Sequence, residues 1–148
     1  MSLIPSSIVS AASLDEALAG TLLYFAADSG TIHMLESDGI LHLKAASGGI
    51  PDAVIERVRL VPVGKGMAGL AVERGQPVTA CNIQTDASGD VRPGAKLTGL
   101  EGAIVVPMMR YGKAVGALGI ANRAERTFTE EEQTLLHAIG SYLAVQYG

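Results

Sequence analysis

The sequence predicts an α+β domain in which antiparallel strands are covered by helices. Two strand–turn–strand patterns predict hairpins, and a short hairpin turn forces antiparallel pairing. Apolar residues at three- and four-residue steps predict a helix near each end of the chain. The chain has 148 residues, 48% of them hydrophobic and 18% charged, which suits one folded unit with a sizeable core. We expect a single domain over residues 1–148, with residues 1–12 as an N-terminal arm.

Capping signals and apolar stripes predict the two terminal helices. The first is predicted over residues 13–27, where Ser13 supplies an N-cap hydroxyl and Glu16 follows three residues later. The closing helix is predicted over residues 129–147 and opens on a second capping box at 129–132. The apolar face of the first helix is formed by Leu14, Leu18, Leu22 and Phe25.

Turn signals predict two hairpins. Strands over residues 31–36 and 40–47 flank Asp38-Gly39, a dipeptide that favours tight turns because both positions tolerate positive φ. Apolar runs over residues 102–110 and 113–121 predict the second hairpin. Little polar alternation survives in these runs, so we expect the second hairpin to be buried on both faces.

Shorter elements fill the middle of the chain. The sequence predicts a helix over residues 51–57, a strand over 58–63, a helix over 66–74 and a strand over 78–83. Residues 84–100 carry little periodicity. A loop of this length inside a compact domain is uncommon and often functional.

Charge and cysteine content exclude several classes of protein. Lys plus Arg number 11 and Asp plus Glu number 15, so the net charge of −4 argues against a nucleic-acid partner. One cysteine forms no internal disulfide, which favours a reduced, cytoplasmic location. No segment has the length and apolarity of a membrane span, and no Cys/His spacing indicates a metal. We expect no membrane partner, no cofactor and no metal.

Several motifs, taken together, resemble those of a GAF domain. They occur in the family's order from about Leu14 to Ala144, nearly the whole chain. The resemblance implies a GAF/profilin-like sheet of five or six antiparallel strands sandwiched between helices, with a ligand pocket on one face. The motifs are Val61-Pro62-Val63-Gly64-Lys65-Gly66-Met67-Ala68-Gly69, Gly75-Gln76-Pro77-Val78, Ala103-Ile104-Val105-Val106-Pro107-Met108, Gly112-Lys113-Ala114-Val115-Gly116-Ala117-Leu118, and Phe128-Thr129-Glu130-Glu131-Glu132 followed by Leu135-Leu136.

The resemblance also implies that the loop over residues 82–100 roofs the pocket. Arg92 and Lys96 would lie at its mouth and favour a partly anionic small molecule, since a guanidinium binds anions with two parallel hydrogen bonds. An ordinary solvated loop over a filled core is the alternative interpretation. The candidate ligand-binding residues are Leu35, Met67, Cys81, Asp86, Arg92, Lys96 and Met108.

Three functions from different classes fit such a domain. The first is a sensory module that binds a small molecule and signals through its terminal helices. The second is a ligand-free scaffold that works only through dimerisation. Independently, Leu22–Phe25 and Tyr142–Val145 carry more apolar residues than one sheet face needs, which favours a homodimer through the terminal helices. In either case we expect a homodimer.

The third function is that of an enzyme similar to free methionine-R-sulfoxide reductases, which are GAF proteins. The resemblance implies cysteines in such enzymes at the positions that Ala68 and Lys96 occupy here. Acids that hold the substrate amine would fall at Ala103, Gly119 and Ala121. Without a thiolate nucleophile or an ammonium site, we expect that the chain is not an enzyme.

Other side chains have a structural interpretation beside a functional one. Residues 64–69 fit G-x-G-x-x-G with Asp86 near the acidic offset, but a dinucleotide site needs a parallel βαβ unit. We expect Arg123 to form an ion pair with Glu131 or Glu132 rather than to contact a nucleotide. His33 and His42 would meet across the first hairpin as a solvated pair.

Overall fold

The computed structural model describes residues 4–80 and 99–148, which form a six-stranded antiparallel sheet and five helices. The strand order is β3-β2-β1-β6-β5-β4, and every pairing is antiparallel. The helices are α1 (Ser6–Val9), α2 (Leu14–Phe25), α3 (Asp52–Val58), α4 (Gly66–Arg74) and α5 (Glu130–Tyr147). The strands are β1 (Ser29–Leu35), β2 (Ile40–Ala46), β3 (Leu60–Pro62), β4 (Val78–Ala80), β5 (Gly102–Arg110) and β6 (Lys113–Asn122). The predicted α+β class is confirmed.

The two faces of the sheet bury different helices. On the α2/α5 face, alternate residues of the central strands join one large core with both terminal helices. On the α3/α4 face, the intervening residues pack in smaller clusters beneath α4. Because β5 and β6 are covered on both sides, they are buried almost throughout, as their weak polar alternation predicted.

The caps follow the sequence closely. Thr129 and Glu132 form the reciprocal capping box of α5. Ser13 accepts a hydrogen bond from the Glu16 amide, whereas the Glu16 carboxylate accepts from the amide of Ala12, one residue before the N-cap. For α2, the predicted role of Ser13 is therefore correct. Glu16 reaches back as predicted, but it binds the amide of Ala12 and not that of the N-cap residue Ser13.

Residues 4–12, the described part of the predicted N-terminal arm, pack against the rest of the domain. Residues 6–9 form α1, and Ile8 is buried in the core of the α2/α5 face. The hydroxyls of Tyr142 and Tyr147 donate hydrogen bonds to the carbonyls of Val9 and Ala11, at 3.3 Å each. These contacts fasten the N-terminal residues to α5.

A charged side chain joins the ends of the terminal helices. Arg126 donates from Nη1 to the Phe25 carbonyl at 2.7 Å and to Asn122 Oδ1 at 2.8 Å, and from Nη2 to Glu132 Oε2 at 2.6 Å. Its guanidinium lies 4.5 Å from the centre of the Phe128 ring. We call this group (Arg126, Asn122, Glu132, Phe128 and the Phe25 carbonyl) the Arg126 junction.

The predicted ion pair of Arg123 is wrong, because Arg126 is the residue that reaches Glu132. Arg123 instead donates its backbone amide to Asp28 Oδ2 at 2.7 Å. Asp28 thereby fixes the chain direction after β6, and the later arginine faces α5.

Among the described residues, no helix combines the length and apolarity that crossing a bilayer requires.

Candidate functional site

A cavity of about 150 Å³ opens on the α3/α4 face of the sheet. It lies between α3 and the three strands β1, β6 and β5. Its described lining is apolar apart from two hydroxyl groups. The lining residues are Ser29, Gly30, Thr31, Ile50, Val54, Val58, Leu100, Ala103, Val105, Gly119, Ile120 and Ala121.

Two rows of small side chains form the cavity floor. One row is Ser29, Ala121 and Ala103, and the next is Thr31, Gly119 and Val105, each running across β1, β6 and β5 in register. Gly119 leaves a gap in the second row. A Cβ at that position would lie 3.1 Å from Val105 Cγ2 and 3.6 Å from Thr31 Oγ1. The cavity therefore exists because the floor residues are small.

Helix α3 and two flanking residues form the walls. Val54 and Val58 point from α3, and Ile50 and Leu100 complete the described wall. Pro51 starts the helix at a fixed φ of −57°, and the helix ends before β3. The Arg59 carbonyl accepts a hydrogen bond from the Leu43 amide at 2.9 Å, which anchors the end of α3 to β2.

His33 makes a second anchor for α3. Its Nε2 lies 2.8 Å from the Val58 carbonyl, which can only accept, so Nε2 carries the proton. Its Nδ1 is buried without a hydrogen-bond partner. Burial lowers the pKa of His33, while the bond to Val58 opposes that shift. The predicted solvated pair with His42 is wrong, since His33 is buried and His42 contacts Asp38 at 2.8 Å.

The buried imidazole predicts a pH dependence of stability. An unfolded histidine titrates near pH 6.5, whereas folded His33 resists protonation. The unfolded state therefore binds more protons below about pH 6.5, and the free energy of unfolding falls as the pH decreases from that value. We expect a loss of up to about 1.4 kcal/mol per pH unit below that value in urea titrations at pH 7.5, 6.5 and 5.5.

The control for this pH dependence is His33→Gln, whose amide nitrogen can replace Nε2 as donor without titrating. The slope between pH 7.5 and 5.5 should become shallower in this variant. The pKa values of Glu36, Asp38 and Glu132 are lowered, so their contributions are lost only at more acidic pH. Equal slopes in both proteins would contradict the assignment to His33.

The structure separates the predicted site residues. Leu35 and Met67 lie on the α3/α4 face, Leu35 in the cluster of Leu41 and Val61, and Met67 in the cluster of Ala80 and Ala103. Met108 does not share a pocket with them: it is fully buried on the α2/α5 face. The hairpin is apolar on both faces, so its sequence left open the face to which Met108 points. The remaining candidates, Cys81, Asp86, Arg92 and Lys96, lie outside the described residues, as does most of the predicted roof.

Sequence reasoning did not select the floor of the cavity. Thr31 has no motif around it, and Val54 and Val58 belong to a short helix without a strong pattern. Three floor positions did carry a signal. Ala103, Gly119 and Ala121 are the positions at which the reductase resemblance implies substrate-binding acids, and the structure brings all three into one cavity.

The glycine-rich junction has the predicted structural role. Gly64 and Gly66 have φ of 88° and 66°, which form the tight turn before α4. The strands on either side of α4 are β3 and β4, which lie at opposite edges of the sheet. Because no parallel βαβ unit exists among the described elements, residues 64–69 do not have the setting of a dinucleotide fingerprint.

Comparison with known proteins assigns the family. A family model of the GAF domain matches residues 10–145. The fold is similar to the GAF domain of a phosphoenolpyruvate-protein phosphotransferase from Coxiella burnetii, with a TM-score of 0.75 and 22% identity over 95% of this chain and 85% of that chain. A comparison with curated protein sequences gives no match.

Enzymes are also among the structural relatives. Free methionine-R-sulfoxide reductase from Neisseria meningitidis has a TM-score of 0.77 and 18% identity, covering 96% of this chain and 82% of the enzyme. The type II reductase from Thermoplasma acidophilum has a TM-score of 0.74 and 22% identity, covering 89% and 87%. At these identities the likeness concerns the fold alone. With the family model matching most of its length, the chain belongs to the GAF domain family.

Proposed function

We propose that this chain is a sensory module that binds a small molecule in the cavity beneath α3 and reports occupancy through α2 and α5. The apolar cavity of about 150 Å³ on the α3/α4 face carries the proposal. A concave, mostly apolar site with a few polar groups is the usual form of a ligand pocket. The single cysteine accords with a cytoplasmic setting.

A short path of contacts leads from the cavity to the terminal helices. Leu100 lines the wall, and the next amide, of Glu101, donates to the Asn122 carbonyl at 2.8 Å. The Gly102 amide donates to the Ala124 carbonyl at 3.1 Å. The segment after β6 leads directly to Arg126, which binds the end of α2 and the start of α5. A displacement of Leu100 by ligand would therefore act on both helix ends.

Thermal-shift screening of nucleotides, amino acids and small carboxylates tests the proposal, because a ligand that binds only the native state raises the Tm. Hydrogen exchange then locates the effect. We expect a hit to slow exchange in the amides of α3 and β6 and to alter exchange at the start of α5. A screen without hits, or hits that leave α3 and β6 unchanged, would overturn the proposal.

The sequence further predicts that Arg92 and Lys96 favour an anion. For an anionic hit, Arg92→Ala should weaken binding about tenfold, since a charge-assisted hydrogen bond contributes about 1.5–3 kcal/mol. Gly48→Ala is a suitable control, because a Cβ at Gly48 meets nothing within 4 Å. An unchanged binding isotherm for Arg92→Ala would show that Arg92 does not contribute to binding of the anion. The proposal that the ligand binds in the cavity would still stand.

A scaffold function is the second candidate, and exposed side chains on the terminal helices favour it. Leu23 and Tyr24 on α2 are 84% and 58% exposed, and Val145 on α5 is 61% exposed. We predict a homodimer that covers these residues, since an isologous contact buries the same apolar patch on both copies. Light scattering at 10–200 μM should give twice the monomer mass, and Leu23→Asp should give monomer. A wild type that stays monomeric throughout would contradict this.

We also propose that the chain lacks methionine sulfoxide reductase activity. Such chemistry needs a thiolate to attack the sulfoxide sulfur, and Ala68 and Lys96 occupy the implied cysteine positions. The implied acid positions are apolar and line the cavity. In an assay coupled to thioredoxin and NADPH, we expect no turnover of free methionine sulfoxide above the enzyme-free rate. Turnover that disappears in a Cys81→Ser variant would overturn this prediction.

A further inference from the structure

We propose that the cavity beneath α3 takes an uncharged, compact apolar group about the size of a six-membered ring, with one hydrogen-bonding atom facing Thr31. This inference rests on the proposed function, since it specifies the chemistry of the same cavity. It narrows the ligand from small molecules in general to those that carry such a group. The size, the charge and the orientation of the group each follow from a separate observation.

The cavity's volume sets the size. An apolar protein cavity of about 150 Å³ accommodates benzene, and the cavity here has about that volume. Six residues in two adjacent rows of three strands form the floor, and the smallest of them, on β6, lie at the centre. A flat ring or a compact branched chain fits between this floor and the valines of α3. A longer chain would have to extend past Leu100 and Ile50.

The lining decides the charge. The described lining contains no Asp, Glu, Lys, Arg, His, Asn or Gln side chain. Moving an ionised group from water into such surroundings without a partner costs several kcal/mol, so a charged group is excluded from the floor. Any charge on the ligand must therefore lie outside the cavity. The ammonium group of an amino acid has no carboxylate to meet among these residues.

Thr31 decides the orientation. Its Oγ1 lies 3.6 Å from the place that a Cβ on Gly119 would occupy, so the hydroxyl borders the empty space in the floor. None of the side-chain hydrogen bonds found for the described residues involves this hydroxyl. The other hydroxyl of the lining, on Ser29, already accepts from Ser47 at 3.3 Å. Ser29 therefore has part of its capacity in use, and Thr31, which borders the space at Gly119, is the hydroxyl we assign to an oxygen or nitrogen atom of the ligand.

Three probes of similar size separate these requirements: toluene, phenol and benzylammonium. Binding is measured from the shifts of backbone amide NMR signals of Ala103, Gly119 and Ala121. We expect toluene and phenol to bind at the cavity, phenol about fivefold more tightly because its hydroxyl reaches Thr31. Benzylammonium should bind at least tenfold more weakly than toluene, because its ammonium is only one carbon from the ring and stays close to the apolar lining when the ring is bound.

Two variants assign the effects to named atoms. Gly119→Val adds a side chain at a position with ordinary strand φ and should abolish binding of toluene and phenol. Gly119→Ala fills less of the space and should weaken it. Thr31→Val keeps the shape and removes the hydroxyl, so phenol should lose its fivefold advantage while toluene binding stays unchanged.

The results of the probe experiment can contradict this inference without contradicting the proposed function. If benzylammonium shifts the same amides and binds as tightly as toluene or more tightly, the inference that the bound group is uncharged is wrong. The proposal of a ligand-binding cavity would remain. A phenol preference that survives in Thr31→Val would overturn the orientation. If neither toluene nor phenol binds while the metabolite screen yields a ligand on α3 and β6, the ring-sized group is wrong and the sensory function stands.

Discussion

Gly69→Ala is expected to lower the free energy of unfolding by about 2–3 kcal/mol, the upper part of the range for overpacked sites. Gly69 is buried in α4, and a Cβ there would clash with the Pro62 carbonyl oxygen and lie 3.0 Å from the Gly64 amide nitrogen. Both neighbours are backbone atoms. They are held by hydrogen bonds from Gly64 to Gly69 at 2.9 Å and from Lys65 to Pro62 at 3.2 Å, so neither can rotate away.

Urea denaturation measures this effect, and Gly48→Ala is the matched control. A Cβ at Gly48 meets nothing within 4 Å, and its φ is outside the left-handed region. The control should lie within about 0.5 kcal/mol of wild type, or slightly above it, because alanine restricts the unfolded chain. Similar midpoints for the two variants would show that the close approach of α4 to the turn is not needed for stability.

Arg126→Met is expected to lower the free energy of unfolding by about 2 kcal/mol. The substitution removes three hydrogen bonds of the Arg126 junction and leaves the Phe25 carbonyl and Glu132 without their charged donor. Hydrogen bonds to a charged group contribute about 1.5–3 kcal/mol, and the Arg126 side chain is only 21% exposed, so solvent screens it incompletely. Exchange of amides at the C-terminal turn of α2 should become faster.

Arg123→Met is the control, because the side chain of Arg123 has no described ion pair and its backbone amide survives the change. Its stability should stay within about 0.5 kcal/mol of wild type. Arg126→Lys should fall between the two, since an ammonium keeps the charge but lacks the planar fork that serves two helices. Equal losses for Arg123→Met and Arg126→Met would contradict the role of the junction.

Much of the fold could be predicted because local signals agree with tertiary packing. Asp38-Gly39 lies at the first turn, where Gly39 has φ of 78°, and Gly75 ends α4 with φ of 65°. Helix α1 could not be predicted, since Ser6-Ser7-Ile8-Val9 is too short for a period. Its stability comes from burying Ile8 in the core. The strand predicted over 58–63 shrinks to Leu60–Pro62 because α3 continues to Val58.

The candidate site was predicted less well than the fold. A pocket forms where residues are small. The small residues Gly119 and Ala121 do not create a periodic sequence pattern from which a pocket could be predicted. The ion pair was predicted for Arg123 and Arg126 was missed, because the pairing depends on where the chain turns after β6, and Asp28 decides that turn from 95 residues away. The side of the sheet that Met108 faces could not be predicted, because the sequence is apolar from Ala103 to Met109 and shows no alternation.

The pairing of β1 with β6 brings Thr31 beside Gly119, and this seam joins the first half of the sheet to the second. Chain segments so far apart in sequence meet slowly, because a long loop must close before their contacts form. The cavity floor spans the seam, so no half of the chain contains the site alone. Under the proposed function, a nascent or partly unfolded chain could not bind ligand until its two halves had paired. A bound ligand would then contact both halves, and the module with ligand should unfold more slowly than the module without it.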